Sequence, residues 1–331
     1  MEPPPRRTVT SPAAVGSRVR GRLAFVAAAV AALVGGGIVA AWVYFHPSCE
    51  WTRGVEYGRR HGQPLTLDVL RPRSPNGLGI VVIVSGGWRS DPAIIRPWLV
   101  APLLRRGYTV FAVAHVSQPK ASVAEIFADI SRGVRFVRTH ADDYRIDPDR
   151  IGVGGGSAGG HLALLLATRG GPGPADAADP VDRATSRVQA AAVFYPLTDL
   201  TNLAGSTEDP GDGGPPIHFR AAFRQEPVDM ATWRPLAQEL SPIHHVTAAL
   251  PPVLIHHGDR DTLVNLDQSV RFRDRAREAG ADVTLVTVAG GRHGWLTMPL
   301  DVMRFAAFFD RVLRPATDGE PKTLRTDQPI P

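Results

Sequence analysis

Cysteine is nearly absent. Cys49 stands alone in 331 residues, which excludes an internal disulfide. It reads as an incidental stalk residue, with an intermolecular bridge as the alternative in an oxidising compartment. A lipid-anchored cysteine needs small and apolar residues before it, and His46-Pro47-Ser48 does not supply them. His218, His244, His245 and His256 lack carboxylate or cysteine partners at metal-ligand spacing, so no metal site is expected. Internal repeats are missing too. Acidic residues are scarce at the N-terminus, where Arg6, Arg7, Arg18, Arg20 and Arg22 face Glu2 alone. Residues 1–22 thus carry +4 of the formal net charge of +5. The rest of the chain is close to neutral, which argues against a nucleic-acid surface.

Charge of either sign is missing from residues 23–45, an apolar run long enough to cross a bilayer as a helix. Arginines crowd its N-terminal side, which places that end in the cytoplasm and everything after residue 46 outside it. The competing reading is a secreted protein with a cleaved signal peptide, for which an Ala-Ala site near residue 41 is the candidate. The run exceeds a usual signal core, and the uncleaved membrane anchor is preferred. Residues 1–22 and the Pro-rich stretch 315–331 read as disordered tails.

Between them, residues 46–314 have the size of one catalytic domain, and 44% apolar residues suffice for a sizeable core. Strands are expected at 65–70, 80–84, 109–114, 151–154, 190–194, 253–256 and 283–288. The first alternates apolar and polar residues as an edge strand does; the others are more continuously apolar. Val123, Ile126, Phe127, Ile130, Val134 and Val137 recur at helical spacing. This alternation predicts an α/β fold with a mostly parallel central sheet flanked by helices. Residues 170–187 and 199–240 interrupt the pattern, the second as a small lid.

Chemistry is concentrated at Gly155-Gly156-Ser157-Ala158-Gly159, a G-x-S-x-G pattern between an apolar strand and a helix. Strand and helix nearly touch at such a corner, so the positions two residues to either side of the serine must be small. The helix that follows directs its N-terminal amides at developing negative charge. A serine hydroxyl needs a neighbouring imidazole to take its proton and a carboxylate to orient that imidazole. Asp259, Asp261 and His293 follow later strands, in the order serine, acid, histidine.

With these residues the chain resembles the α/β-hydrolases of the esterase/lipase group, close to their feruloyl-esterase-like and kynurenine-formamidase-like branches. The likeness covers roughly residues 51–313. It rests on Asp147-Pro-Asp-Arg-Ile-Gly, Ser157-Ala-Gly-Gly-His-Leu-Ala, Ser241-Pro-Ile, His257-Gly-Asp-Arg-Asp and Gly291-Arg-His-Gly. The resemblance implies an α/β-hydrolase fold, with Ser157 as nucleophile, Asp261 as the acid and His293 as the base. Asp259 competes with Asp261 but falls at the wrong position of H-G-x-x-D. His161 reads as structural.

The family usually carries His-Gly-Gly-Gly-Trp after the strand at 80–84. Here the stretch is Ser85-Gly86-Gly87-Trp88, without the histidine that normally braces the loop. Gly86 or Gly87, with Ala158, is expected to form the oxyanion hole. Trp88, Phe219, Phe223 and Trp233 are candidates for an apolar substrate pocket; the alternative is a packing role for Trp88 and, for the other three, the underside of the lid. The preferred function is a membrane-anchored serine carboxylesterase acting on a small or medium ester without a cofactor. The alternatives are an amidase, formamidase or peptidase using the same residues, and a catalytically silent hydrolase-fold binding protein.

Overall fold

A computed structural model describes residues 12–314, so the first half of the tail expected at 1–22 and all of that expected at 315–331 lie outside the described residues. The chain divides into two compact units, with the boundary after His46. The first holds a helix, α1 (Pro12–Phe45), of 34 residues. It starts eleven residues before the apolar run. Proline at the first helical position suits this start, since its missing N–H would have no partner there. Over Ala28–Phe45 the mean hydropathy is 2.0 and none of the stretch is buried, which makes α1 long and apolar enough to cross a membrane.

The second unit is built on an eight-stranded sheet ordered β1-β2-β4-β3-β5-β6-β7-β8. Its strands are β1 (Cys49–Arg60), β2 (Gln63–Pro72), β3 (Gly79–Ile83), β4 (Thr109–Val113), β5 (Ile151–Gly156), β6 (Ala190–Phe194), β7 (Val253–Gly258) and β8 (Val283–Val288). From β4 to β8 every neighbouring pair is parallel, while β2 runs antiparallel to both β1 and β4. The seven expected strands are all present. β1 was not anticipated, because its charges and glycines hide the alternation and Tyr57 is its one buried residue. Pairing with β1 makes β2 an interior strand, which corrects its reading as an edge.

Alternation along the strands sorts the core onto two faces. Val81, Ile83, Phe111, Val113, Ala191 and Val193 face the layer of α2 (Val123–Thr139), α3 (Ala158–Arg169) and α5 (Asp267–Glu278). Ile80, Val110, Ala112 and Phe194 face α6 (Met298–Leu313), with Phe305, Phe308 and Phe309. α2 begins with a capping box: the Ser122 hydroxyl accepts from the Glu125 amide and the Glu125 carboxylate accepts from that of Ser122. Those bonds to Ser122 hold the Glu125 pKa down to about 2. The insertion at 199–240 holds α4 (Met230–Glu239) and a 3₁₀ turn, Ile217–Phe223. Its Ala222, Phe223, Trp233 and Ala237 belong to the first core layer.

Candidate active site

The C-terminal edge of the parallel strands gathers the expected residues, as such sheets gather ligands. Ser157 sits between β5 and α3 with φ 54° and ψ −123°, a strained conformation for a residue with a side chain. Its neighbours explain why glycine surrounds it. A Cβ on Gly155 would lie 2.6 Å from the Gly159 carbonyl, and one on Gly159 would lie 2.7 Å from the Ile83 oxygen. Gly159→Ala is therefore expected to destabilise the protein by at least ~2 kcal/mol, since the clash is with backbone. A denaturant melt checks the sign, because an unhindered helical glycine-to-alanine change stabilises by up to about 1 kcal/mol.

Three side chains form one hydrogen-bonded line. His293 Nε2 is 3.0 Å from Ser157 Oγ, and His293 Nδ1 is 2.7 Å from Asp261 Oδ2. A carboxylate only accepts, so Nδ1 carries the proton and Nε2 accepts from the serine hydroxyl. Asp261 is fully buried at its side chain. Its Oδ1 accepts from the amides of Leu263 and Val264, both at 3.0 Å. Burial alone raises its pKa, but bonds involving His257, His293 and the Val264 amide outweigh this and hold the carboxyl well below the usual range. Asp259 goes elsewhere. Its Oδ1 accepts from the Gly290 amide at 2.7 Å and ties the β7 and β8 loops together.

The loop after β3 is a tight turn. Gly86 and Arg89 exchange backbone bonds, both of 2.9 Å, and the two central residues, Gly87 and Trp88, have φ of 53° and 56°. Two positive φ values are the mark of a type I′ turn. The Gly86 amide is spent on Arg89, so of the two expected glycines Gly87 is the one left to face a ligand. Ala158 opens α3, and its amide has no acceptor within the helix. Trp88 pays for its unusual backbone with its ring: strain of about 1–3 kcal/mol is exceeded by indole burial worth about 4–6 kcal/mol. Its Nε1 donates to His161 Nδ1 at 3.2 Å, while His161 Nε2 donates to the Leu240 carbonyl at 2.7 Å. Burial lowers the His161 pKa to about 4, and the ring is structural, as expected.

The pocket expectation needs correction. Trp88 and Phe223 are 1% exposed and Trp233 is fully buried. They pack edge to face in a chain, Trp88 on Phe223 at 5.0 Å and Phe223 on Trp233 at 5.2 Å. Phe223 and Trp233 are the underside of the insertion, with Phe223 packed on the Trp88 ring from the turn after β3. Phe219 remains half-buried, with its ring where a Cβ on Gly87 would fall. Of the other histidines, His218 pairs with Glu208 and His245 with the Glu239 carbonyl, while His244 lies near Thr201 and Asp199. His256 is buried beside Asp301, with Nδ1 3.3 Å from that carboxylate. Among the described residues, no group of three or more His, Cys, Asp or Glu is placed to hold a metal ion.

One neighbour was not foreseen. Tyr195, one residue past β6, has φ 34° and lays its ring 4.4 Å from that of His293. Burial, with the Asp261 charge adding to it, pushes its pKa up to about 12. The signal available was its place after a buried strand, on the same edge as Ser157.

The chain is similar in sequence and in fold to known esterases. Esterase LipQ of Mycobacterium tuberculosis is 32% identical over 70% of this chain and 53% of its own. The probable carboxylic ester hydrolase LipM of the same organism is 30% identical over 54% of this chain and 40% of its own. The chain spans about half the length of these curated relatives. Among solved structures, a thermophilic esterase from the Planctomycetes species Thermogutta terrifontis superposes with a TM-score of 0.64 at 26% identity, covering 83% of this chain and 96% of its own. The fold is that of the α/β-hydrolases. The BD-FAE family model matches residues 67–275, and the chain is a member of the BD-FAE family.

Proposed function

We propose that this protein is a serine carboxylesterase that cleaves a small or medium ester through an acyl-enzyme. The observation that carries the reading is the Ser157–His293–Asp261 line, with its 3.0 and 2.7 Å contacts. The names of the relatives, esterase and carboxylic ester hydrolase, support it. Ser157 Oγ gives its proton to His293 Nε2 and attacks the ester carbonyl. The amides of Gly87 and Ala158 hold the oxyanion. His293 returns the proton to the leaving alcohol, and Asp261 stays ionised and steadies the imidazolium. A water then gives a proton to His293 and attacks the acyl carbon. Collapse releases the acid as His293 passes that proton back to Ser157 Oγ, restoring the hydroxyl. Phe219, beside the oxyanion turn, meets the substrate, and α1 holds the enzyme on a membrane with its N-terminus in the cytoplasm.

The test is a fluorescent fluorophosphonate on the full chain, with Ser157→Ala as control, followed by a panel of esters and matched amides. Labelling that disappears in the variant, with esters turned over faster than amides, is the expected result. A folded protein that does not label would sink the reading. Extraction of membranes at alkaline pH tests the anchor separately: the chain is expected to stay with the pellet.

A further inference from the structure

We propose that His115 is a positioning residue for the oxyanion turn, bracing it through Ser85 in place of the loop histidine that this chain lacks. The proposal rests on the reading of Gly87 and Ala158 given above. Its origin is the register of two neighbouring strands. β3 and β4 pair in parallel with partners thirty residues apart, as in Ile83↔Val113. Val84 extends the ladder by donating to the Val113 carbonyl at 3.0 Å. The same offset sets Ser85 against His115, and there the side chains take over from the backbone: Ser85 Oγ lies 2.9 Å from His115 Nε2.

The direction of this bond is fixed by the other ring nitrogen. His115 Nδ1 is 2.9 Å from the Val116 carbonyl, which only accepts, so Nδ1 carries the proton and Nε2 accepts from the Ser85 hydroxyl. The ring is 7% exposed, and burial pushes its pKa down to about 4. It therefore stays a neutral acceptor at the pH of an ester assay. Ser85 is gripped on its other side as well, since its carbonyl accepts from the Gly159 amide at 3.0 Å. One residue thus links the β4 loop, the turn that presents Gly87, and the helix that presents Ala158. Further along, the Gln118 amide donates to the Trp88 carbonyl at 3.0 Å, so the loop carrying His115 holds both ends of the turn.

The experiment uses the full chain with Ser85→Ala, His115→Asn, His115→Gln and the double variant Ser85→Ala/His115→Asn. Asparagine deletes the acceptor at the Nε2 position; glutamine offers an amide oxygen near it. Each disrupting single variant is expected to lower kcat on p-nitrophenyl acetate about tenfold, less than loss of an oxyanion donor itself. KM should hold within about twofold, because the effect belongs to the transition state. The double variant should be no slower than the worse single, and His115→Gln should recover most of the rate. Losses that multiply to about a hundredfold, a change confined to KM, or an unaffected Ser85→Ala enzyme would overturn the proposal. Amide hydrogen exchange over residues 86–89 gives a second readout independent of turnover. Exchange about tenfold faster in both singles is expected, and unchanged exchange overturns the brace. Should the wild type fail to label at Ser157, the esterase reading falls while the exchange data still decide the role of His115.

Discussion

Ser157→Ala is expected to reduce kcat for ester hydrolysis by about a millionfold, the loss typical of removing the nucleophile from such a triad. The geometry singles out this hydroxyl. It lies 3.0 Å from Nε2 of an imidazole whose other nitrogen, Nδ1, is held at 2.7 Å by a buried carboxylate. What survives in the variant is the oxyanion turn and substrate binding, worth about 10³–10⁴ over water. KM should change little, because alanine is smaller than serine and adds no atom where the substrate would sit. Initial rates on p-nitrophenyl acetate, with thermal melts to confirm folding, check the outcome. A variant that keeps even a hundredth of the rate would move the nucleophile to another residue.

The second large effect separates two aspartates in one loop. Asp261→Asn is expected to lower kcat about ten-thousandfold. The reason lies in the two amides, Leu263 and Val264, that donate to Oδ1. They claim the single amide oxygen of asparagine, which turns its NH₂ toward His293. The imidazole must then accept at Nδ1 and carry its proton on Nε2, where it cannot take one from Ser157. Asp259→Asn keeps an oxygen for the Gly290 amide and should leave kcat within about twofold of wild type. Rates of the two variants measured side by side decide between the carboxylates. The reverse pattern would reassign the acid.

The sequence carried the chemistry further than the architecture around it. Glycines at 155 and 159 announced the close approach that the backbone distances display, and the buried parallel strands were legible because they are apolar almost throughout. Asp261 and His293 could be placed on the same edge because each follows such a strand. β1 escaped because a half-exposed strand with scattered charges has no periodic signature. The choice between Gly86 and Gly87 depends on a backbone bond to Arg89 that composition does not encode. The role of the aromatics was open for a similar reason: Trp88, Phe223 and Trp233 look the same in sequence whether they line a cleft or fill a core. The missing loop histidine was plain, but its replacement required the strand register that brings residues 85 and 115 together.

The packing of the 199–240 insertion bears on how this protein can be re-engineered. Because Ala222, Phe223, Trp233 and Ala237 are core residues, the segment is not an interchangeable cassette. A wholesale graft from a homologue would remove part of the domain's interior along with the old selectivity. Libraries confined to outward positions such as Ile217 and Arg224, with Phe219 varied last, keep the buried side intact. Selectivity and foldability are entangled in this stretch, and a screen that scores only turnover would mistake collapsed variants for inactive ones.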